Sequence, residues 1–220
     1  MNEATLKKTA DFSKVYLIVN EVLNAITHGV GVGLSIAGLV ILLLKGVRSG
    51  STLAIVSYAI YGSTLILLYL SSTLYHSLTF TRFQKIFKIF DHSCIFLLIA
   101  GTYTPYTLIS LGGGLGWTVF GVVWGVAVLG VTYKVFWINK YRKYSTLLYV
   151  AMGWLIVFAM KPLYQAIGVY GFGLLLGGGV AFTVGALFYR LKSVKFMHPL
   201  WHLFVLAGTI LMYFSILYYV

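Results

Sequence analysis

Seven mostly apolar runs follow one another along this 220-residue chain, with six short charged or turn-forming clusters between them. A membrane-crossing helix needs about 20 such residues, and only helices or closed barrels satisfy their backbone hydrogen bonds inside lipid. The runs fall at residues 20–44, 52–76, 91–111, 115–137, 145–161, 166–189 and 199–220. They are separated by Lys45 to Ser51, Thr79 to Lys88, Gly112 to Gly116, Asn139 to Lys143, Lys161-Pro162, and Arg190 to Lys195. Only 9% of the residues are charged, against about a quarter in soluble domains. The pattern predicts an all-α membrane protein: a seven-transmembrane helix bundle over 20–220, preceded by a short polar tail over 1–19.

The net charge of +12 would fit a nucleic-acid binder if its charges formed one patch. They alternate loop by loop instead. With the amino terminus inside, thirteen of the sixteen Lys and Arg residues fall on the cytoplasmic side, leaving Lys45, Arg48 and Lys161 on the other. Cytoplasmic loops keep such an excess, so the expected topology has a cytoplasmic amino terminus and an extracytoplasmic carboxyl terminus. Membrane lipids are the expected partners, and nucleic acid is not. The first 20 residues carry Glu3, Lys7, Lys8, Asp11 and Lys14 with no early apolar stretch, so no cleaved signal peptide is expected and the first span is its own insertion signal. The single cysteine, Cys94, excludes an intramolecular disulfide. Glycines at Gly29/Gly33, Gly121/Gly125 and Gly173/Gly177 have the spacing that lets helices approach closely in lipid, and are read as bundle packing.

Within that topology, polar groups far apart in sequence fall at one depth. The four carboxylates are Glu3, Asp11, Glu21 and Asp91, and the last opens the third run on the cytoplasmic side. His76 ends the second run, with Ser72 one turn before it on the same face. His198 and His202, an i, i+4 pair, open the seventh. An ionisable residue inside a span is costly and marks function by default. Three imidazoles leave a fourth position for water, the arrangement of catalytic rather than structural zinc. Asp91 would then contact the metal through water as general base, or support a ligand histidine. Ser72 would position the water or a developing oxyanion. The competing structural reading is that His76 and Asp91 clamp the second and third helices. Glu21, Asn24 and His28 form a polar stripe on the first helix that either lines access to the site, supports its ligands or only ties helices together. His92, rotated about 100° from Asp91, is expected to face a neighbouring helix or the headgroups, and Cys94 is expected to be a small filler.

Taken together, Glu21-x2-Asn24-x2-Thr27-His28-Gly29, Ser72-x3-His76, Asp91, Gly101-Thr102-Tyr103-Thr104-Pro105 and His198-x3-His202 resemble the bacterial hemolysin III family. That family is related to the progestin and adipoQ receptors and to alkaline ceramidases. The likeness covers essentially the whole chain. It implies a seven-helix bundle with zinc near the cytoplasmic side, held at His76, His198 and His202, with Asp91 reaching the metal through water and Ser72 nearby. The long amino-terminal domain of the animal adiponectin receptors is absent, and with it any support for a hormone-receptor role.

Three functions are open at this point. One is a zinc-dependent hydrolase of a lipid amide or ester, with the lipid implied by the resemblance and the metal by the residues. The second is the cytolytic activity in the family's name, although a chain this apolar does not suit a secreted pore-former. The third is a sensor whose zinc is structural.

Overall fold

A computed structural model of the chain describes residues 13–138, 142–191 and 193–220. Most of the predicted polar tail lies outside these residues, as do the side chains of Lys7, Lys8, Lys140, Arg142, Lys143 and Lys192. Among the described residues the regular structure is entirely helical: α1 (Lys14–Ser49), α2 (Thr52–Ser77), α3 (Gln84–Pro105), α4 (Gly113–Trp137), α5 (Arg142–Gly153), α6 (Met160–Arg190) and α7 (Met197–Tyr219). A π-helical turn (Tyr106–Leu111) follows α3, and a 3-10 segment (Trp154–Ala159) joins α5 to α6. Six stretches are long and apolar enough to cross a membrane, the fifth being Ser145–Arg190.

Helix ends depart from the apolar runs where local chemistry decides. α1 begins six residues before the run because the Ser13 hydroxyl accepts from Tyr16 N–H at 3.2 Å, and it ends at Gly50, whose φ of 66° is the left-handed stop. Its 36 residues extend about 54 Å, well beyond a hydrocarbon core of about 30 Å. α3 begins at Gln84, so Asp91 stands two turns inside the helix and does not open it. The lysines of those turns, Lys85 and Lys88, have stems long enough to extend along apolar surface while their heads stay in water. Pro105 removes a backbone donor, and the chain widens into the π turn, closed by Gly112 N–H to Thr107 O at 2.9 Å.

The break expected at Lys161-Pro162 is absent. Both residues sit in the first turn of α6, where a missing donor costs nothing. The chain reverses instead at Gly168, which has φ 68° and ψ 178°. The Trp154 indole N–H donates to Thr183 Oγ1 at 3.0 Å, across 29 residues that would span about 43 Å in a straight helix. Only a hairpin centred near Gly168 brings those groups together.

The bundle is closed by α7 returning against α1. Lys45 Nζ donates to Ile216 O and Leu217 O at 3.1 and 2.9 Å, and the Tyr213 hydroxyl to Gly38 O at 3.1 Å. Tyr69 Oη and Thr209 Oγ1, 2.5 Å apart, tie α2 to α7. Of the expected glycines, Gly29 and Gly177 lie against neighbouring helices, where a Cβ would meet Thr73 at 3.8 Å and Leu211 at 3.5 Å, whereas a Cβ at Gly33, Gly121, Gly125 or Gly173 would meet nothing within 4 Å. Crowded positions include Gly31 against Tyr69, Gly62 against Leu39 and Gly101 against Thr64. Spacing alone does not reveal which face of a helix turns inward.

Large apolar side chains such as Leu129 and Phe158, 71% and 87% exposed, cover the exterior, while Asn24, His28, Ser72, His76 and His202 are buried. An exterior of large apolar side chains with polar groups buried inside belongs in lipid.

Candidate metal centre

Four helix segments meet at one end of the bundle: the first turns of α1, the last turn of α2, the second and third turns of α3 and the start of α7. His76, His198 and His202 each turn a ring nitrogen inward, and the three donor atoms lie within 4.8 Å of one another. The ring centroids are 5.1 Å apart for His76 and His198, 4.9 Å for His76 and His202, and 4.8 Å for His198 and His202. The helix geometry of the His198 and His202 pair, and the placement of His76 at the same depth, are therefore as expected.

Two of these rings are oriented from behind. His76 Nδ1 donates to Glu21 Oε2 at 2.7 Å, which leaves Nε2 as the inward lone pair, and that nitrogen is buried with no hydrogen-bond partner. His202 Nδ1 lies 3.2 Å from Asn24 O and 3.3 Å from Thr27 Oγ1. A buried polar atom left unmade costs about 1–3 kcal/mol. A cation between the three rings would satisfy it, and a carboxylate behind a ligand imidazole is the usual support of such a site. The donor set of neutral nitrogens suits zinc. The residues therefore fit the ion.

The α1 stripe belongs to this centre. Glu21 also accepts from Thr79 Oγ1 at 3.2 Å and from Asn20 Nδ2 at 3.3 Å. Asn24 contributes its backbone carbonyl, and its fully buried amide has no hydrogen-bond partner. His28 stacks on His202 with centroids 3.6 Å apart and planes inclined by 8°. Its Nδ1 pairs with Ser72 Oγ at 2.7 Å, so that hydroxyl is already engaged by a histidine. Of the two expected surroundings, a neighbouring helix and the headgroups, His92 takes the first: its ring centroid lies 6.3 Å from that of Tyr75 on α2. Its Nδ1 lies 3.2 Å from Asp91 Oδ2, close enough for an ion pair but without hydrogen-bond alignment, and both residues border the same cavity. Asp91 is not among the three clustered ligands. Cys94 is buried in the core as a filler.

A cavity of about 170 Å³ opens from the centre into the bundle. Asp91, His198, His202 and Ser72 line one end, and apolar residues including Ile99, Ile156, Leu175 and Val205 line the rest. Lys134, Ser145 and Tyr149 on the cavity wall were not singled out from sequence, and Thr27, which lies behind His202, entered there only as part of the α1 motif. Lys134 was legible only as one charge in a loop count.

Fold and site define a multi-pass helical membrane protein with a histidine-rich centre at one end of its bundle. The sequence profile described as "Haemolysin-III related" matches residues 16–213, and the chain belongs to that family, in the bacterial cell membrane. It is 48% identical over 203 residues to Hemolysin-3 of Bacillus cereus, covering 92% of this chain and 93% of that one. It is 46% identical over 205 residues to a Hemolysin-3 homolog of Bacillus subtilis (strain 168), covering 93% and 96%. A more distant likeness, 26% over 163 residues, covers 71% of this chain and 67% of the human monocyte to macrophage differentiation factor.

Proposed function

We propose that the chain is a zinc-dependent integral membrane hydrolase of a lipid amide or ester that contributes to membrane-lipid homeostasis. The hairpin at Gly168 supports seven crossings, and the charge bias supports an amino terminus on the cytoplasmic side. The observation that carries the reading is the convergence of His76, His198 and His202, two of them oriented from behind, with His198 and His202 also lining a mostly apolar cavity. Zinc held by the three imidazoles supplies Lewis acidity toward a carbonyl and acidifies water.

The chain's own groups do the rest. The Glu21 carboxylate holds the His76 proton on Nδ1 and so keeps Nε2 available. Asp91, on the cavity wall, takes a proton from the attacking water and returns it to the leaving nitrogen or oxygen. His92 steadies that carboxylate from 3.2 Å. Ser72 and His28, paired at 2.7 Å, offer a polar edge toward the reacting carbonyl. The apolar remainder of the cavity takes the acyl part and excludes water.

The purified protein is expected to carry about one zinc per chain, the stoichiometry of a mononuclear site, and His202→Ala to lose most of it. Membranes carrying wild type are expected to differ in amide- or ester-linked lipids from membranes carrying His76→Ala. Full zinc retention by His202→Ala, or identical lipid profiles, refutes the reading. The names of the two bacterial relatives favour a second reading, direct cytolysis. Red-cell lysis by Asp91→Ala separates them: a pore is indifferent to that carboxylate, whereas lysis caused by altered lipids disappears with it.

A further inference from the structure

A groove at the end of the bundle opposite the histidines takes no part in the chemistry described above. Ile41, Leu44, Lys45 and Arg48 have the i, i+3, i+4, i+7 spacing of one face of α1, and with Leu217 and Tyr218 of α7 they line this groove of about 460 Å³. Its volume falls in the range of about 300–1,000 Å³ typical of ligand sites. Lys45 is about 36 Å beyond Glu21 along the helix and directly follows the apolar run 20–44. The two cations therefore stand at headgroup depth, with Ile41 and Leu44 on the hydrocarbon side.

The two cations differ in what they already touch. Lys45 Nζ holds Ile216 O and Leu217 O and lies 5.3 Å from the Tyr58 ring centroid, so it caps the last carbonyls of α7 and contributes mainly its charge to the groove. Arg48 is exposed, and among the described residues it forms no hydrogen bond or ion pair. No carboxylate lines the groove. A guanidinium offers paired N–H donors in the geometry of a phosphate, and the neighbouring ammonium adds a second positive charge. The walls are greasy and open, Ile41 and Leu44 being 48% and 52% exposed. Cations at one end of an apolar groove are the complement of an anionic amphiphile.

We infer that this groove binds one anionic phospholipid of the leaflet at that end, with Arg48 on the phosphate, Lys45 supplying charge beside it and an acyl chain along Ile41, Leu44 and Leu217. Two cations without a carboxylate select net negative charge over a zwitterion, whose own cationic group they repel. The inference does not rest on the hydrolase reading, because the groove and the histidine centre occupy opposite ends of the bundle.

The test uses the full chain as purified in a neutral detergent and measures retention of three probes by native mass spectrometry: dioleoylphosphatidylglycerol, dioleoylphosphatidylcholine and inorganic phosphate. A basic residue at a membrane surface favours an anionic lipid about fivefold, so wild type is expected to retain the phosphatidylglycerol over the phosphatidylcholine about fivefold or more. Arg48→Gln, at an exposed position with no contact to lose, is expected to lower that preference about fivefold and leave the melting temperature of lipid-free protein unchanged. Arg48→Lys keeps most of the preference. Lys161→Gln removes the same charge away from the groove and leaves the preference intact, which separates a site from a general surface potential. No preference in wild type, an undiminished one in Arg48→Gln or an equal loss in Lys161→Gln overturns the inference. Retention of inorganic phosphate as strong as that of the lipid overturns it in favour of a free-anion site, and dimer masses without retained lipid overturn it in favour of a second copy of the chain. The preference is expected to persist in His202→Ala, whatever becomes of zinc or turnover there.

Discussion

The bond from His76 to Glu21 makes a graded prediction about metal affinity. Glu21 stands on α1, 55 residues before His76, and its side chain is 21% exposed, so solvent screens the contact only in part. At 2.7 Å the Nδ1 proton is shared with a charged acceptor, which stabilises the ring in the tautomer that leaves Nε2 free to ligate. Glu21→Gln keeps an acceptor of the same length and removes the charge. A hydrogen bond to a charged group contributes about 1.5–3 kcal/mol and a neutral one about 0.5–1.5, so glutamine forfeits about 1–1.5 kcal/mol, or about 5–15-fold in zinc affinity. Glu21→Ala loses the bond entirely and releases the ring to the wrong tautomer, for which about 10–100-fold is expected. Zinc affinity of detergent-purified protein, measured by competition with a chromophoric chelator, checks the order wild type, Gln, Ala. Melting temperatures after chelation separate ligand support from loss of fold, because the apo forms should differ by far less than the zinc-loaded forms. Equal affinity for wild type and Glu21→Ala would refute the reasoning, as would a tighter Ala than Gln variant.

Three further outcomes follow from the packing. A Cβ at Gly101 would run into Thr64 across the α2 and α3 contact, whereas one at Gly121 meets nothing. Gly101→Ala is therefore expected to cost about 1–3 kcal/mol and Gly121→Ala to be neutral or slightly stabilising, as read by unfolding in detergent. Tyr69→Phe removes the hydroxyl 2.5 Å from Thr209 and is expected to cost about 0.6 kcal/mol, the average for interhelical hydrogen bonds in lipid; stabilisation by the same assay would count against a bond there. The hairpin at Gly168 places Gln165 at the opposite end of the bundle from Lys195. In a Cys94→Ser background, cysteines introduced at Gln165 and Lys195 should react with an impermeant thiol reagent from opposite sides of the membrane, and labelling from one side would remove the reversal.

Much of the fold was legible because lipid imposes one rule on every span. Residues 52–76 needed no correction beyond a residue at the end, since Ser51 caps the start and polar side chains follow His76. The rule fails where the backbone, rather than apolarity, decides. Residues 145–190 are apolar almost throughout, so their turn looked as though it belonged at the one proline. The structure places it at Gly168, where a positive φ is available without a Cβ clash. The glycine pairs held only at Gly29 and Gly177 for a related reason: spacing defines a stripe but not the direction it faces.

The site divides in the same way. Chain order, charge bias and the i, i+4 rule were enough to bring His76, His198 and His202 to one depth, because alternating spans return to the same end of a bundle. Hydropathy and spacing are one-dimensional, however, and the angle of each helix about its own axis is not. Only packing decided that Glu21 lies behind His76 and not along an entry path, that Ser72 is held by His28, and that His92 turns toward Asp91. It also turned Lys134 from a loop charge into a buried group on the cavity wall, since a side chain's surroundings are set by neighbours that fold in from elsewhere in the chain.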